Sequence, residues 1–370
     1  MISYFSFPTQ IVFGPGAVAE IPKALARMQV KRPLVVTDPG LVKTDAFKKL
    51  QAAASDPWHT FSDVHPNPAE ADVEAATAAY QAGNCDAVIA FGGGSALDVG
   101  KVIRLRIRRP QVKLAAFDFN DDWSGLVPCI TVPTTAGTGS EVGRSSVIIL
   151  NKTKKVFFHP SLLASLVILD PELTTGLPPK LTAATGADAL THCVESATSP
   201  VFHPLCDGIA FEGLHLIASS LREAVRSGHD LEARGRMQMA AMMGGIAFQK
   251  DLGATHSLAH PLSSLCNLHH GLANALCLPV VMEFNAARKP GVYERVGHAL
   301  GLTYATDAKT IRYIRDLFTE IGLAPGLRAH GVSEKNLDSL SDQAIEDSCH
   351  RTNPVPVTRA DLRQLYEQAL

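Results

Sequence analysis

Asp188 and His192 stand four residues apart in Gly186-Ala187-Asp188-Ala189-Leu190-Thr191-His192, a spacing that puts a carboxylate and an imidazole on one face of a helix. His256-Ser257-Leu258-Ala259-His260 repeats that spacing and His269-His270 follow, so that four of the 14 histidines fall between positions 256 and 270. A lone Asp-x3-His pair is more often an exposed helical pair than a ligand set. The cluster changes that balance, because so many neutral imidazoles on Ala- and Leu-rich helices need partners. One carboxylate with three imidazoles is a suitable shell for a divalent transition metal, with a position left for a substrate oxygen.

A second chemical feature is Phe91-Gly92-Gly93-Gly94-Ser95-Ala96-Leu97-Asp98, three glycines between an apolar strand and a helix. Such a turn lets backbone approach a ligand, and the helix start offers free N–H groups and a positive dipole end to a diphosphate. Taken alone, glycine-rich strand-to-helix turns are as often structural as phosphate-binding. The order also departs from the usual dinucleotide fingerprint, since the acidic residue that ends a strand, Asp38, precedes the glycines instead of following them. A carboxylate at that position can accept hydrogen bonds from adenosine ribose hydroxyls and would repel a 2′-phosphate, which favours NAD over NADP. A polar loop, Pro133-Thr134-Thr135-Ala136-Gly137-Thr138-Gly139-Ser140-Glu141, follows another apolar strand and could complete a nucleotide cradle.

The elements that must position these groups change character along the chain. Strand-like runs at Leu34–Thr37, Ala87–Phe91, Val127–Val132, Ser146–Leu150 and Leu166–Leu169 alternate with helical patterns such as Ala69–Ala82, which implies a mostly parallel, helix-covered sheet. After Asp170-Pro171 the texture turns to long Ala-, Leu- and Met-rich helices, placing a domain boundary near 171–178 and domains at 1–174 and 175–370. The weakest helix signal is the Gly/His-rich stretch 253–271. The basic run Arg104–Arg109 reads as the solvated last turn of the nucleotide helix. The 370 residues carry 34 basic against 36 acidic side chains, so no global charge draws the chain to nucleic acid or an anionic membrane. No apolar run is long enough to span a bilayer and the N-terminus lacks the pattern of a signal peptide, so the expected location is the cytoplasm. The seven cysteines are scattered and never spaced as CxxC, consistent with buried free thiols.

In combination the motifs resemble the iron-dependent (group III) alcohol dehydrogenase family. The glycine block, Pro133–Val142, Ala184–His192, His256-x3-His260-Pro261-Leu262 and His270-Gly271-x2-Asn274-Ala275 carry the resemblance, which runs from Phe13-Gly14-Pro15-Gly16 to Thr352-Asn353-Pro354. It implies an N-terminal α/β dinucleotide-binding domain and an all-helical C-terminal metal domain, the fold shared with dehydroquinate synthase. The metal ligands would be Asp188, His192, His256 and His270, with His260 near nicotinamide and substrate as a proton-relay residue. Gly93, Gly94 and Ser95 would hold the diphosphate, with Asp98 supporting the turn. Thr134, Thr135 and Thr138 would line the adenine and nicotinamide-ribose side, Lys155 would lie near that ribose, and Asn67 near the adenosine.

The expected activity is NAD-linked interconversion of a small alcohol and its aldehyde or ketone in a homodimer. Fe²⁺ is the expected metal, and Zn²⁺ or another divalent ion is chemically compatible. A metal-dependent hydrolase would have no use for the glycine turn, the threonine loop and Asp38 together. Dehydroquinate-synthase-like and maleylacetate-reductase-like enzymes share the fold; the first uses a different metal set and phosphate-binding basic residues, and the second lacks the carboxylate ligand pattern.

Overall fold

A computed structural model describes residues 9–151, 153–323 and 326–370. Contacts divide these into two units, a sheet unit reaching to Thr135 and resuming over Gly139–Leu177, and a helical unit of Pro178–Leu370 joined by Ala136–Thr138. The three-residue exchange cuts the threonine loop, so Thr134 and Thr135 belong to the sheet unit and Thr138 to the helical one.

In the sheet unit, strands β1 (Gln10–Phe13), β2 (Pro33–Val36), β3 (His59–Phe61), β4 (Ala87–Gly92) and β5 (Cys129–Pro133) are followed by a hairpin of β6 (Ser145–Leu150) and β7 (Thr153–Phe158), then by β8 (Leu166–Leu169). Helices α1 (Ile21–Arg27), α2 (Asp45–Ala52), α3 (Glu70–Ala82) and α4 (Gly94–Arg108) connect the first five strands. The main sheet is parallel throughout, in the order β1-β8-β5-β4-β2-β3. Strands β2, β4, β5 and β8 are buried along their whole length, as their unbroken Val/Ile/Leu runs require when both faces are covered. The run Ser146–Leu150, which reads as one more strand, forms β6 of a separate antiparallel hairpin with β7 instead of joining this sheet.

The topology creates a crevice. After β2 the chain turns to one side, to its neighbour β3, and after β4 it turns to the other side, to β5. Adjacent strands with connections that depart in opposite directions leave a gap outside their carboxyl ends, the general ligand site of open α/β sheets. Asp38 follows β2 and Gly92–Gly94 end β4 at that gap. Within the basic run that ends α4, Arg108 is exposed and Arg106 and Arg109 are half-buried, but Arg104 is not solvated: it is buried and donates to the carbonyls of Val127, Ser161 and Leu162. Its guanidinium, a rigid fork of donors, satisfies loop carbonyls outside the strands.

The helical unit consists of α5 (Pro179–Thr198), α6 (Pro204–Arg226), α7 (Leu231–Ala247), α8 (Ala254–Cys266), α9 (His270–Arg288), α10 (Glu294–Ala299), α11 (Asp307–Glu320), α12 (Leu337–Glu346) and α13 (Arg359–Ala369). One core joins α5, α6, α7, α9 and α11, and a second joins α8, α9, α12 and α13. Helix α5 is buried on all its faces, which its alanines and Gly186 permit. Polar groups on such a helix must find partners inside the protein. The stretch 253–271, weakest in helix signal, folds as α8 and the start of α9, with Pro261 inside α8. All seven cysteines are free, and six of them are buried.

Candidate metal and nucleotide sites

Asp188, His192 and Glu195 lie at i, i+4 and i+7 on α5, His256 and His260 at i and i+4 on α8, and His270 opens α9. Close approach of α9 to α5 depends on Gly271, since a Cβ there would stand 2.0 Å from the Ala184 carbonyl oxygen. Asp188 Oδ1 lies 3.5 Å from His270 Nε2 and 3.8 Å from Nε2 of both His192 and His256. Two ligands at bonds of roughly 2.0–2.2 Å on a tetrahedral cation lie roughly 3.3–3.6 Å apart. The donor atoms of Asp188, His256 and His270 all lie within 4.8 Å of one another, as ligands of one divalent ion can, while His192 stands outside that trio and approaches it through the same Asp188 oxygen.

The electrostatics point the same way. Burial alone would raise Asp188, but the imidazoles of His192, His270 and His256 hold its carboxyl well below the usual range. Burial pushes His192 down to about 4, which keeps its ring neutral. Burial also works against a charge on His256, yet hydrogen bonding and attraction from Asp188 and Glu195 raise it to about 9. A cation is thus favoured in this pocket. His192, His256 and Asp188 are nearly inaccessible, whereas the side chains of His260 and His270 are 31% and 30% exposed, so solvent and small molecules reach the cluster from that side. The Phe248 ring packs 5.3 Å from that of His192.

Two carboxylates that the sequence reading left out orient this cluster. Glu195 Oε2 accepts from His256 Nδ1 at 2.6 Å, which fixes the tautomer and leaves Nε2 as the donor atom. The same carboxylate accepts from the N–H groups of Gly253 and Thr255, so it also caps the start of α8. Its i+7 place after Asp188 is a signal that could have found it. Asp347 accepts from His260 Nδ1 at 2.7 Å, from Ser257 Oγ at 2.9 Å and from the Cys349 N–H at 2.9 Å. Burial works against its charge, yet the His260 partnership holds the carboxyl well below its ordinary value. Asp347 follows α12 in an irregular segment, and nothing in local spacing ties it to His260.

The nucleotide candidates gather in the sheet unit. Gly92 has φ 149°, a backbone conformation favoured by glycine, and Gly93 caps α4 without a side chain. A Cβ on Gly92 would meet the Ala96 methyl at 2.9 Å and stand 3.8 Å from Asp38 Oδ2, so the turn and the carboxylate are neighbours. Asp38 Oδ1 accepts from the N–H groups of Gly40 and Leu41, so one oxygen shapes its own turn. Thr134 N–H donates to the Gly92 carbonyl, and the Thr135 methyl lies 3.6 Å from the Cβ position of Gly93. Gly93, Gly94 and Ser95 remain half-exposed at the N-terminus of α4.

Asp98 ties that helix to the loop, accepting from Ser140 Oγ at 2.6 Å and from Val147 N–H at 2.9 Å. Lys101, fully buried, adds bonds to Ser140 and to the Ser145 carbonyl and was missed as a strut of this cradle. Lys155 on β7 donates to the carbonyls of Leu114, Ala115 and Phe117, closing a turn. Asn67 adopts φ 52° beyond β3, and Thr138 belongs to the helical unit.

Comparison with known proteins assigns both halves of the chain. Residues 8–171 match the family model described as iron-containing alcohol dehydrogenase, and residues 182–370 match that of the C-terminal part of the Fe-containing alcohol dehydrogenase family. The chain is 39% identical to a 4-hydroxybutyrate dehydrogenase of Cupriavidus necator, with all of both chains covered. It is 34% identical to a 1,3-propanediol dehydrogenase of Citrobacter freundii, covering 98% of this chain and 97% of the relative. A solved 1,3-propanediol oxidoreductase superposes with TM-score 0.95 at 33% identity over the whole of both chains. A sulfoacetaldehyde reductase from Bifidobacterium kashiwanohense, solved with NAD⁺, superposes with TM-score 0.91 at 29% identity, covering 100% of this chain and 99% of that one. These relatives are dehydrogenases and reductases, which favours the oxidoreductase reading over the hydrolase and synthase readings. With matching models over both halves and a full-length relative at 39% identity, the chain belongs to the iron-containing alcohol dehydrogenase family and is an oxidoreductase of alcohols and their carbonyl partners.

Proposed function

We propose that the helical unit holds one divalent cation through Asp188, His192, His256 and His270, and that the sheet unit binds NAD(H) at the Asp38 and Gly93-Gly94-Ser95 crevice. The observation that carries this reading is the placement of three imidazole Nε2 atoms 3.5–3.8 Å from one carboxylate oxygen, on three different helices. Fe²⁺ suits a hard carboxylate with three imidazoles, and Zn²⁺ is compatible with the same donors. The cation, when bound, would polarise the substrate's oxygen, and the nicotinamide would accept or return the hydride.

The protein's own groups then have distinct tasks. Asp188 supplies a negative charge that offsets the cation, and Glu195 keeps the Nε2 lone pair of His256 turned into the cluster. With Nδ1–H held by Asp347, His260 has its Nε2 available to take the hydroxyl proton during oxidation and to return one during reduction. Its partly exposed ring can pass that proton to water. In the crevice, the half-exposed N–H groups at the start of α4 would receive the diphosphate, and Asp38 the adenosine ribose hydroxyls. Thr134 and Thr135 would line the nucleotide.

The relatives act, by their names, on 4-hydroxybutyrate, 1,3-propanediol and sulfoacetaldehyde, all short chains with a polar far end. A short primary alcohol or aldehyde of that kind is the proposed substrate class, handled by a cytoplasmic homodimer. The test is a panel of such compounds with NADH absorbance as the readout, on protein stripped with a chelator and reloaded with Fe²⁺ or Zn²⁺. Turnover that appears only after reloading is expected; full activity in rigorously stripped protein would overturn the reading.

A further inference from the structure

Asn274 is completely buried and lies on α9 one turn beyond His270. Its Nδ2 stands 2.7 Å from Asp188 Oδ1, 3.2 Å from His256 Nε2 and 3.3 Å from His270 Nε2. The shortest of these contacts, 2.7 Å, is a hydrogen bond from the Asn274 NH₂ group to the Asp188 carboxylate oxygen, which accepts it. The amide must therefore present its NH₂ end to the cluster, since the opposite orientation would press a carbonyl oxygen against a carboxylate oxygen. That choice leaves Asn274 Oδ1 buried without a partner. Buried amides seldom leave an acceptor unused, and here the loss is accepted on the side away from the acid.

We propose that Asn274 is a positioning residue that fixes the Asp188 carboxylate in the orientation in which it holds the cation. The inference rests on the proposed metal site. Asp188 is the only acid in that donor set and sits on a helix buried on all faces, so its side chain can be steered only from a neighbouring element. Helix α9 supplies both the ligand His270 and, four residues on, the N–H that aims the carboxylate. Gly271 makes this possible by allowing α9 close enough for the 2.7 Å bond. The N–H donor does for Asp188 what Glu195 does for His256, and outer partners of this kind typically contribute roughly 10- to 100-fold to metal affinity.

The test uses the full-length protein stripped of metal and titrated with Co²⁺ against a competing chelator, with the visible spectrum reporting coordination. Asn274→Ala should weaken Co²⁺ binding by about 10- to 100-fold and change the spectrum. Asn274→Asp keeps the volume but replaces the donor with a second acid, so the metal-free protein should melt lower than wild type and gain more from Co²⁺. Asn274→Ser, which can still offer a donor, should recover part of the affinity. Wild-type affinity and spectrum in a folded Asn274→Ala protein would overturn the proposal while leaving the metal site standing. Failure of the wild type itself to bind Co²⁺ would overturn the site and this inference with it. Equal losses of melting temperature in the Ala and Asp variants, with unchanged affinity, would reduce Asn274 to a packing residue and also overturn it.

Discussion

In the helical unit the groups aimed at Asp188 are side chains, from His192, His256, His270 and Asn274, and each is locked by a further partner or by burial. In the sheet unit the corresponding crevice is made mostly of backbone: the glycine turn after β4, the free N–H groups of α4 and the Thr134 N–H bonded to Gly92. Side chains there act chiefly as struts, as Asp98 and Lys101 do on Ser140. The difference follows from what each unit is proposed to hold. A small divalent ion needs a few donors at fixed distances, which only anchored side chains supply. A dinucleotide presents an extended anion, which a helix start and open backbone can meet without charge of their own. A single substitution should therefore disable the first unit far more readily than the second.

The largest effect expected from that contrast is at Asp188. Asp188→Ala removes the acid of the donor set and should cut turnover by roughly a thousandfold or more, with metal content falling in parallel. NADH binding, followed by fluorescence, should stay near the wild-type level, because it is proposed to belong to the other unit. Equal loss of NADH binding would break the comparison and show that the two sites depend on each other for folding.

A second effect isolates the sheet unit. Burial pushes Glu141 up to about 7 from an ordinary value of 4.5, with Lys101 pulling the other way. Between those pH values the folded chain keeps a proton that the unfolded chain has released, so stability falls as pH rises through this window and levels off above it. A shift of that size corresponds to about 3 kcal/mol. Glu141→Gln carries no charge to bury and should gain on the wild type by up to that amount between pH 4 and pH 8, measured by denaturant unfolding. A difference between the two proteins that does not vary with pH would show that Glu141 is not ionised at the expense of the fold.

What could be read from residue types alone follows the same division. The Asp-x3-His and His-x3-His spacings announce a donor cluster because helical periodicity converts sequence distance directly into a shared face. Glu195 is legible by the same rule, at i+7 from Asp188. Asp347 is not, since it reaches His260 across 87 positions from an irregular segment. The start of helix α8 was less legible than its His-x3-His face, because it is capped by Glu195 from α5 and by Asn353 Oδ1 on the Ala254 N–H, partners that local propensity does not contain. Arg104 reads as a surface charge in a basic run, and only the fold shows that the loop carbonyls around it require a buried donor. The parallel sheet was legible from its unbroken apolar runs, whereas the β6–β7 hairpin was not, because a strand does not declare its partner.

The two histidine–carboxylate pairs of the helical unit sharpen the comparison from within. Glu195 serves a proposed ligand and Asp347 a proposed proton carrier, so their neutral variants should separate. Asp347→Asn should lower kcat by about 10- to 100-fold with metal content unchanged, in the range expected for general acid–base assistance. Glu195→Gln should lower metal content first. Loss of metal from the Asp347 variant would place His260 among the ligands and remove its role in proton transfer.

The smallest effect expected is on cofactor choice in the sheet unit. Asp38 has two separable tasks: Oδ1 closes its own turn through the N–H groups of Gly40 and Leu41, while Oδ2 lies on the side of Gly92. Replacement by glycine would remove both, so a change in preference could not be assigned to charge. Asp38→Asn keeps an oxygen for the turn, since asparagine supports the same local hydrogen bonds, and discards only the negative charge. If that charge repels a 2′-phosphate, the ratio of kcat/KM for NADH over NADPH should fall about tenfold, equivalent to about 1.4 kcal/mol of like-charge repulsion. Metal content and kcat with NADH should be nearly untouched, because the substitution alters neither the glycine turn nor the helical cluster. A wild type that already prefers NADPH, or an Asn variant with an unchanged ratio, would show that Asp38 is only a turn residue and that this crevice selects its nucleotide through backbone alone.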